Sequence, residues 1–182
     1  MKLVETIAKP ISEQDKTSKN TSINSKRLPK GVTVLINHFF INGMVVLDYG
    51  AGKFDNSKEA IEKSGAKYLP FDPYNRTNES NVESITYSVN NDIDFIICSN
   101  VLNVIDSDVA LDKAIERITS LMTPSKTTLI LNVYEGNRNG IGSETRKDQY
   151  QRNEKLNAYT ERFKIKGFNT VKLDGCAILR VS

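Results

Sequence analysis

Two carboxylates around a glycine-spaced turn are the residues of this chain best placed to do chemistry. An apolar run at 45–47 ends at Asp48, and Gly50 and Gly52 follow at once. Branched apolar residues without a break favour a strand buried on both faces, and the glycines allow a sharp turn whose N–H groups can approach a ligand. A helical pattern then begins at once, and Asn56 or Ser57 can cap that helix. Strand, turn and helix N-terminus together predict a cradle for a nucleotide-like ligand.

The second carboxylate, Asp72, ends the next apolar run, about twenty residues on, where Rossmann-type folds place the carboxylate that binds a ribose. The pattern Asp-x-Gly-x-Gly at 48–52 resembles motif I of class I S-adenosylmethionine (SAM)-dependent methyltransferases. The resemblance implies that this turn passes beside the methionine part of SAM and that Asp72 binds the ribose hydroxyls. Phe54 stands where the family often has a third glycine. This departure weakens a dinucleotide interpretation more than a SAM interpretation, because SAM has no pyrophosphate.

The turn at 99–105, Ser-Asn-Val-Leu-Asn-Val-Ile, follows a third strand and occupies the catalytic position of this family. Open α/β sheets bind their ligands at this carboxyl edge. The resemblance implies that Asn100 and the main chain of Val101 face the sulfonium and methionine, and that Asn103 faces the substrate. Alternatively, both asparagines only shape the turn, since Asn tolerates left-handed backbone and forms Asx-turns. The cofactor-binding residues predicted are Asp48, Tyr49, Gly50, Ala51, Gly52, Lys53, Asp72, Pro73, Asn100 and Val101.

The tripeptide Asp72-Pro73-Tyr74 resembles the Asp/Asn-Pro-Pro-Tyr signature of enzymes that methylate amino groups in nucleic acids. The second proline is missing, and the signature belongs after the strand that ends at Cys98. We therefore interpret Asp72 as the ribose carboxylate and not as part of that signature.

A glycine-rich loop follows the strand predicted at 127–133 and leaves the active edge of the sheet. Tyr134 and Glu135 precede three glycines within seven positions, which is typical of a mobile loop. Tyr134 or Glu135 is expected to handle a proton. The candidate catalytic residues are Asn103, Tyr134 and Glu135.

Gln151, Arg152 and Asn153 come after this loop and can bind a planar polar group, a carboxylate or a phosphate. They are the candidate substrate-binding residues, and the alternative is an exposed helix start with a solvated face. The turn at 100–105, the Tyr-Glu-Gly of the loop, the Tyr-Gln-Arg-Asn at 150–153 and a later Tyr159 are similar to small methyltransferases of bacteriophage and prophage genomes, some labelled DNA methylases. The similarity covers most of 25–182 and implies nucleic acid as a first hypothesis for the substrate.

Strand and helix patterns alternate along most of the chain, which predicts a Rossmann-like α/β fold with a mostly parallel sheet and helices on both faces. Helices are predicted at 31–40, 57–64 and 108–122 and strands at 67–71, 93–98 and 127–133. A polar stretch at 75–83 has no clear period, and 85–89 is predicted as a short strand. Asp174-Gly175 predicts a hairpin at 167–181. Class I methyltransferases close their sheet with such an antiparallel pair.

Residues 1–28 form a polar, basic segment ahead of a single methyltransferase-like domain at 29–182. Lys16, Lys19, Lys26 and Arg27 give the segment its charge. One interpretation is a frayed, solvated tail. The other is a lid over the cofactor or a contact to a substrate phosphate, as the family resemblance implies.

Composition bounds the remaining functions. A chain of 182 residues suits one domain, and 38% hydrophobic with 26% charged residues is ordinary for a globular protein. With His38 as the only histidine, a His-based metal site and Ser-His-Asp chemistry are not expected. Cys98 and Cys176 are interpreted as buried thiols in a reducing cytoplasm, and a net charge of +3 does not by itself indicate nucleic acid.

Three other functions stay open at this stage. The first is a methyltransferase that acts on a small molecule or a protein side chain. The second is a SAM-binding or host-partner-binding protein without catalysis, and the third is a nicotinamide dehydrogenase. Phe54 and the closing hairpin disfavour the last.

Overall fold

The computed structural model describes residues 2–11, 20 and 27–181, and its centre is a six-stranded sheet of order β2-β1-β3-β4-β8-β7. The sheet strands are β1 (Val45–Tyr49), β2 (Lys67–Phe71), β3 (Phe95–Ser99), β4 (Thr128–Asn132), β7 (Phe168–Leu173) and β8 (Cys176–Val181). A separate two-stranded sheet holds β5 (Ser143–Arg146) and β6 (Gln149–Gln151). The helices are α1 (Lys2–Ala8), α2 (Lys30–His38), α3 (Asn56–Lys63), α4 (Asn78–Asn90), α5 (Asp108–Ser120) and α6 (Leu156–Lys164), with one 3-10 turn at Leu102–Val104.

The first four strands of the central sheet run parallel, and β8 and β7 close it in antiparallel pairing. Asp174 and Gly175 connect β7 to β8 with φ angles of 46° and 73°, as a two-residue hairpin turn requires. The predicted fold class and its terminal hairpin are thereby confirmed.

Side chains of alternate residues in the central strands belong to two apolar layers, one on each face of the sheet. Leu47 and Ile96 point to the face covered by α4, α5 and α6, whereas Val46 and Ile97 point to the face covered by α2 and α3. All four are fully buried. This two-sided burial is the reason the strands read as continuous apolar runs.

The prediction of a short strand at 85–89 is wrong, because residues 78–90 form the helix α4. Asn81, Ser84, Ile85 and Ser88 are its buried face and lie at helical spacing. Three of these four residues are polar, so a search for apolar periodicity does not find the helix. Their polar atoms are satisfied locally: Ser84 donates to the Pro70 carbonyl at 2.6 Å, and Ser88 donates to the Ser84 carbonyl at 2.8 Å.

The alternative of an exposed helix start at 151–153 is also wrong. Residues 149–151 form β6, and Gln151, Arg152 and Asn153 are 6–7% exposed. The helix predicted from the spacing of Leu156, Tyr159 and Phe163 begins after them as α6, with all three side chains buried.

The described part of the N-terminal segment forms a helix and packs on the domain. Ile7 and Ile11 are 3% and 4% exposed and belong to the apolar layer beside α4 and α5. Lys16, Lys19 and Lys26, which give the segment much of its charge, lie outside the described residues.

Both cysteines are buried and unpaired, as predicted. Burial raises the pKa of the Cys98 thiol well above its usual range, so this thiol stays protonated. Among the residues that the structure describes, no helix is long and apolar enough to cross a membrane.

Candidate functional site

A cavity of about 350 Å³ lies at the carboxyl edge of the sheet, where β1, β2 and β3 end. Its size is at the lower end of the range for small-molecule sites. Every residue predicted to bind the cofactor lines this cavity except Asp48. The topology accounts for this convergence, because parallel strands bring their carboxyl ends to the same edge.

The glycine turn after β1 is held in backbone conformations that side chains rarely adopt. Gly50 and Gly52 have φ angles of +94° and +67°, and the Gly50 N–H donates to the Phe71 carbonyl at 2.7 Å. A methyl group on Gly50 would overlap the Val101 side chain, whereas one on Gly52 would meet no protein atom within 4 Å. Gly50 therefore permits a close approach between the turn and the chain after β3.

Asp72 joins the glycine turn to the turn that follows β2. Its Oδ1 accepts the N–H groups of Tyr74 and Asn75 at 2.9 and 3.0 Å. Its Oδ2 accepts the Gly52 N–H at 3.0 Å and the Asn75 side-chain amide at 3.1 Å. These four donors occupy the acceptor positions of one carboxylate. A ribose hydroxyl that bound Asp72 would replace or share one of them, and the Asn75 side chain is the donor free to rotate away.

Two residues that the sequence analysis did not single out fix this arrangement. Arg76 donates to the carbonyls of Gly52 and Phe54, both at 2.7 Å, and pairs with Asp55 at 2.5 Å. Asn81 of α4 accepts the Asp72 N–H at 2.9 Å and donates to the Asp72 carbonyl at 3.0 Å. The glycine turn is thus tied to its neighbours through charge-assisted hydrogen bonds.

Asp48 lies below the cavity and is 2% exposed. Its Oδ2 accepts a hydrogen bond from the Tyr68 hydroxyl at 2.8 Å. Burial raises the pKa of the Asp48 carboxyl from 3.8 to about 6, against the hydrogen bond from Tyr68, and the charge of Asp72 adds to the rise. Asp48 is consequently a buried carboxyl near a second carboxylate, Asp72, and it precedes the glycine turn without lining the cavity.

This raised pKa predicts a specific pH dependence of stability. Between pH 4 and pH 6 the folded protein holds a proton on Asp48 that the unfolded chain releases, so the free energy of unfolding falls as the pH rises. Asp48→Asn removes this slope. From pH 4 to pH 7 the stability of the variant relative to the parent should rise by on the order of 3 kcal/mol, measured by urea unfolding.

Asp92→Asn is the control for that measurement. The pKa of Asp92 is lowered by its hydrogen bonds from Lys126 and Thr123, so its contribution is lost as the pH falls and has the opposite sign. Equal slopes for the parent and for Asp48→Asn would contradict the prediction.

A directional chain of hydrogen bonds runs from α2 to the edge of the cavity. The Gly31 N–H donates to Ser99 Oγ at 3.2 Å, and Ser99 Oγ donates to Asn132 Oδ1 at 2.6 Å. Asn132 Nδ2 then donates to Asn100 Oδ1 at 3.4 Å. A backbone N–H can only donate, and 2.6 Å is typical of O–H···O, so the direction of the chain is fixed. The amide oxygen of Asn100 faces Asn132, and its two side-chain N–H donors have no partner among the residues that the structure describes, at a position that lines the cavity.

Ser99→Ala interrupts this chain and should lower the free energy of unfolding by about 1–3 kcal/mol, because it removes the partner of buried Asn132. Urea unfolding measures the loss. Ser120→Ala is the matched control, since the exposed Ser120 makes one local hydrogen bond to the Arg117 carbonyl. If Ser99→Ala lowers the free energy of unfolding no more than Ser120→Ala does, the hydrogen bonds through Ser99 do not stabilise the strand ends.

The structure places the candidate catalytic Asn103 and Tyr134 in a second network, outside the set of described residues that line the cavity. Asn103 Nδ2 donates to Gln151 Oε1 at 2.9 Å, and Gln151 Nε2 donates to the Tyr134 carbonyl at 2.7 Å. Asn103 Oδ1 is buried without a hydrogen-bond partner among the described residues, and the Tyr134 residue is 65% exposed.

Arg152, Asn153 and Glu135 also make contacts that organise the chain. Arg152 donates to the Ile105 carbonyl at 2.9 Å and pairs with Asp108 and Glu154. Asn153 donates to the Ile141 carbonyl at 2.9 Å and lies against Gly136 of the glycine loop. Glu135 accepts the Leu156 N–H at the start of α6 at 2.8 Å. These bonds hold the loop and the turn at 99–105 together, and the substrate and catalytic roles stay predictions.

No protein-family model matches the chain, and no curated protein matches it. Among solved structures, it is similar to the 1,6-didemethyltoxoflavin-N1-methyltransferase of Burkholderia thailandensis, solved with 1,6-didemethyltoxoflavin and S-adenosylhomocysteine (SAH) bound. The identity is 16%, the TM-score is 0.55, and the match covers 82% of this chain and 73% of that one. A phosphoethanolamine N-methyltransferase of Haemonchus contortus, solved with phosphomonomethylethanolamine and SAH, matches at 16% identity with a TM-score of 0.48 over 76% of this chain and 36% of its own.

The Burkholderia match shows that this chain has the class I methyltransferase fold. At 16% identity it shows the fold alone.

Proposed function

We propose that the protein is a SAM-dependent methyltransferase. The observation that carries the proposal is the meeting of Asp72 with the Gly50–Gly52 turn on one cavity of a class I methyltransferase fold. A carboxylate there suits ribose hydroxyls, and the positive-φ turn lets a ligand approach the main chain. The SAH bound in the similar Burkholderia enzyme agrees with this cofactor.

The residue at the position of the third glycine favours SAM over a dinucleotide. Phe54 lines the cavity where a third glycine would open the approach that a pyrophosphate needs. Tyr49, Ala51, Val101 and the partly buried Pro73 offer an apolar lining suited to an adenosyl group. Asp72 would hold the ribose, and the turn from Gly50 to Lys53 with Asn100 and Val101 would hold the methionine part.

When bound, SAM supplies a methyl group already activated on sulfonium sulfur. The protein then has to align the acceptor with that methyl and to exclude water. The fixed chain from Gly31 to Asn100 supports this role, since it presents Asn100 in one orientation. Asn103, Tyr134 and Glu135 are proposed as the catalytic residues, with Tyr134 or Glu135 handling a proton.

Glu135→Gln tests the proton-transfer role. Glutamine keeps an oxygen that can accept the Leu156 N–H, so the fold should be preserved. If Glu135 acts as a general base, turnover should fall about 100-fold or more while SAH affinity is unchanged. Unchanged turnover would remove Glu135 from the mechanism and leave positioning as the source of catalysis.

The first hypothesis for the acceptor is nucleic acid, in particular DNA, with Gln151, Arg152 and Asn153 contacting it. The support is the resemblance of the sequence to phage methyltransferases and the basic residues at 16–30 and 138–166. A small-molecule acceptor is the second candidate. The similar Burkholderia enzyme was solved with a small molecule bound.

Transfer of labelled methyl from SAM to fractionated DNA, RNA, protein and small molecules tests the function and sorts the acceptors. Label in DNA supports the first hypothesis, and label only in the small-molecule fraction supports the second. SAH binding without transfer to any fraction would favour a non-catalytic SAM-binding protein. Absence of SAH binding would overturn the proposed function.

A further inference from the structure

Part of the cavity wall comes from the N-terminal residues, ahead of the domain predicted to hold the site. Ile11 lines the cavity and is 4% exposed. Ile7 of α1, four residues earlier in the chain, is 3% exposed in the apolar layer shared with α4 and α5, but it does not line the cavity. Burial of Ile7 in the apolar layer therefore attaches residues 2–11 to the domain at a point outside the cavity, and Ile11 reaches the cavity wall.

Arg117 of α5 holds this segment in place. Its Nη1 donates to the Lys9 carbonyl at 2.7 Å, and its Nη2 donates to the Thr6 carbonyl at 3.1 Å. These carbonyls lie at the C-terminal end of α1, where helical carbonyls lack partners inside the helix and a cation is favoured. A second tie is the Tyr74 hydroxyl, which donates to the Ile11 carbonyl at 3.4 Å from the turn that Asp72 organises.

Arg117 also lines the cavity, so it lies between the docked segment and the proposed cofactor. We propose that Arg117 is a positioning residue for SAM, which acts by holding residues 2–11 as a wall of the cavity. This inference rests on the proposed function. Because the wall is complete only when the segment is docked, docking and cofactor binding should stabilise each other.

The test is calorimetric titration of SAH into the full chain and into Arg117→Ala, Ile7→Ala and the double variant. Arg117→Ala loses two charge-assisted hydrogen bonds and should weaken SAH binding about tenfold. Ile7→Ala loosens the same segment without changing a cavity residue and should also weaken it. Both substitutions release the same segment. The SAH affinity of the double variant should therefore be only slightly lower than that of the single variant with the lower affinity.

Arg162→Ala is the matched control. Arg162 also makes two charged contacts, to Asp108 and Asp112, and it is not among the described residues that line the cavity. Its loss should leave SAH affinity unchanged. Thermal unfolding of each variant separates a local effect on the wall from loss of the fold.

Hydrogen exchange supplies a second measurement. SAH should slow exchange at the amides of residues 2–11 in the parent chain, and less so in Arg117→Ala. Parent-like SAH affinity in Arg117→Ala, fully additive losses in the double variant, or exchange that SAH does not alter would each overturn the inference. Failure of the parent chain to bind SAH would instead overturn the proposed function on which it rests.

Discussion

Asp72→Ala should weaken SAH binding about 10- to 100-fold, because a hydrogen bond from a ribose hydroxyl to a carboxylate contributes about 1.5–3 kcal/mol. The substitution also leaves the N–H groups of Gly52, Tyr74 and Asn75 without their shared acceptor. The glycine turn and the turn after β2 then lose their connection. Titration of SAH measures the affinity, and urea unfolding measures the accompanying loss of stability.

Asp72→Asn and Asp92→Ala are the comparison variants for the loss of SAH affinity in Asp72→Ala. Asn at 72 keeps one oxygen acceptor but no charge, so it should retain part of the turn and bind SAH more weakly than the parent chain. Asp92 is an exposed carboxylate paired with Lys126, away from the residues that line the cavity, and its removal should not change SAH affinity. Tight SAH binding by Asp72→Ala would remove the ribose role and with it the main support for the cofactor.

Gly50→Ala should lower the free energy of unfolding by about 2–5 kcal/mol and abolish SAH binding. The φ of +94° strains any side chain, and the added methyl group would overlap Val101. The turn must then move away from β3, which changes the cavity that both residues line. Urea unfolding and SAH titration are the measurements.

Gly52→Ala is the matched comparison for that prediction. Gly52 lies in the same turn with a φ of +67°, but a methyl group there meets no protein atom. Only backbone strain applies, so the stability loss should be about 1–2 kcal/mol. Adding Val101→Ala to Gly50→Ala should restore part of the stability by removing the overlap. If Gly50→Ala and Gly52→Ala destabilise equally, the close approach to Val101 is not what selects glycine.

Much of the sheet could be predicted from local sequence because its physical causes are local. Strands buried on two faces read as continuous apolar runs, and Asp174-Gly175 supplies the two positive φ angles of a hairpin turn within two residues. The helix α4 escaped prediction because its buried face is mainly polar. Asn81 and Ser84 are stable there only because the backbone of β2 and of Asp72 supplies their partners.

Local sequence patterns were sufficient to predict the class I architecture, the glycine turn and the placement of Asp72 at the same sheet edge, since parallel topology brings strand ends together. The partner of each polar side chain, in contrast, depends on how distant parts of the chain pack. Arg117 meets carbonyls more than a hundred residues earlier in the chain, and Arg152 meets Ile105 and Asp108. Such pairings depend on where distant segments come to lie, and a side chain able to bind a substrate is equally able to bind its own backbone.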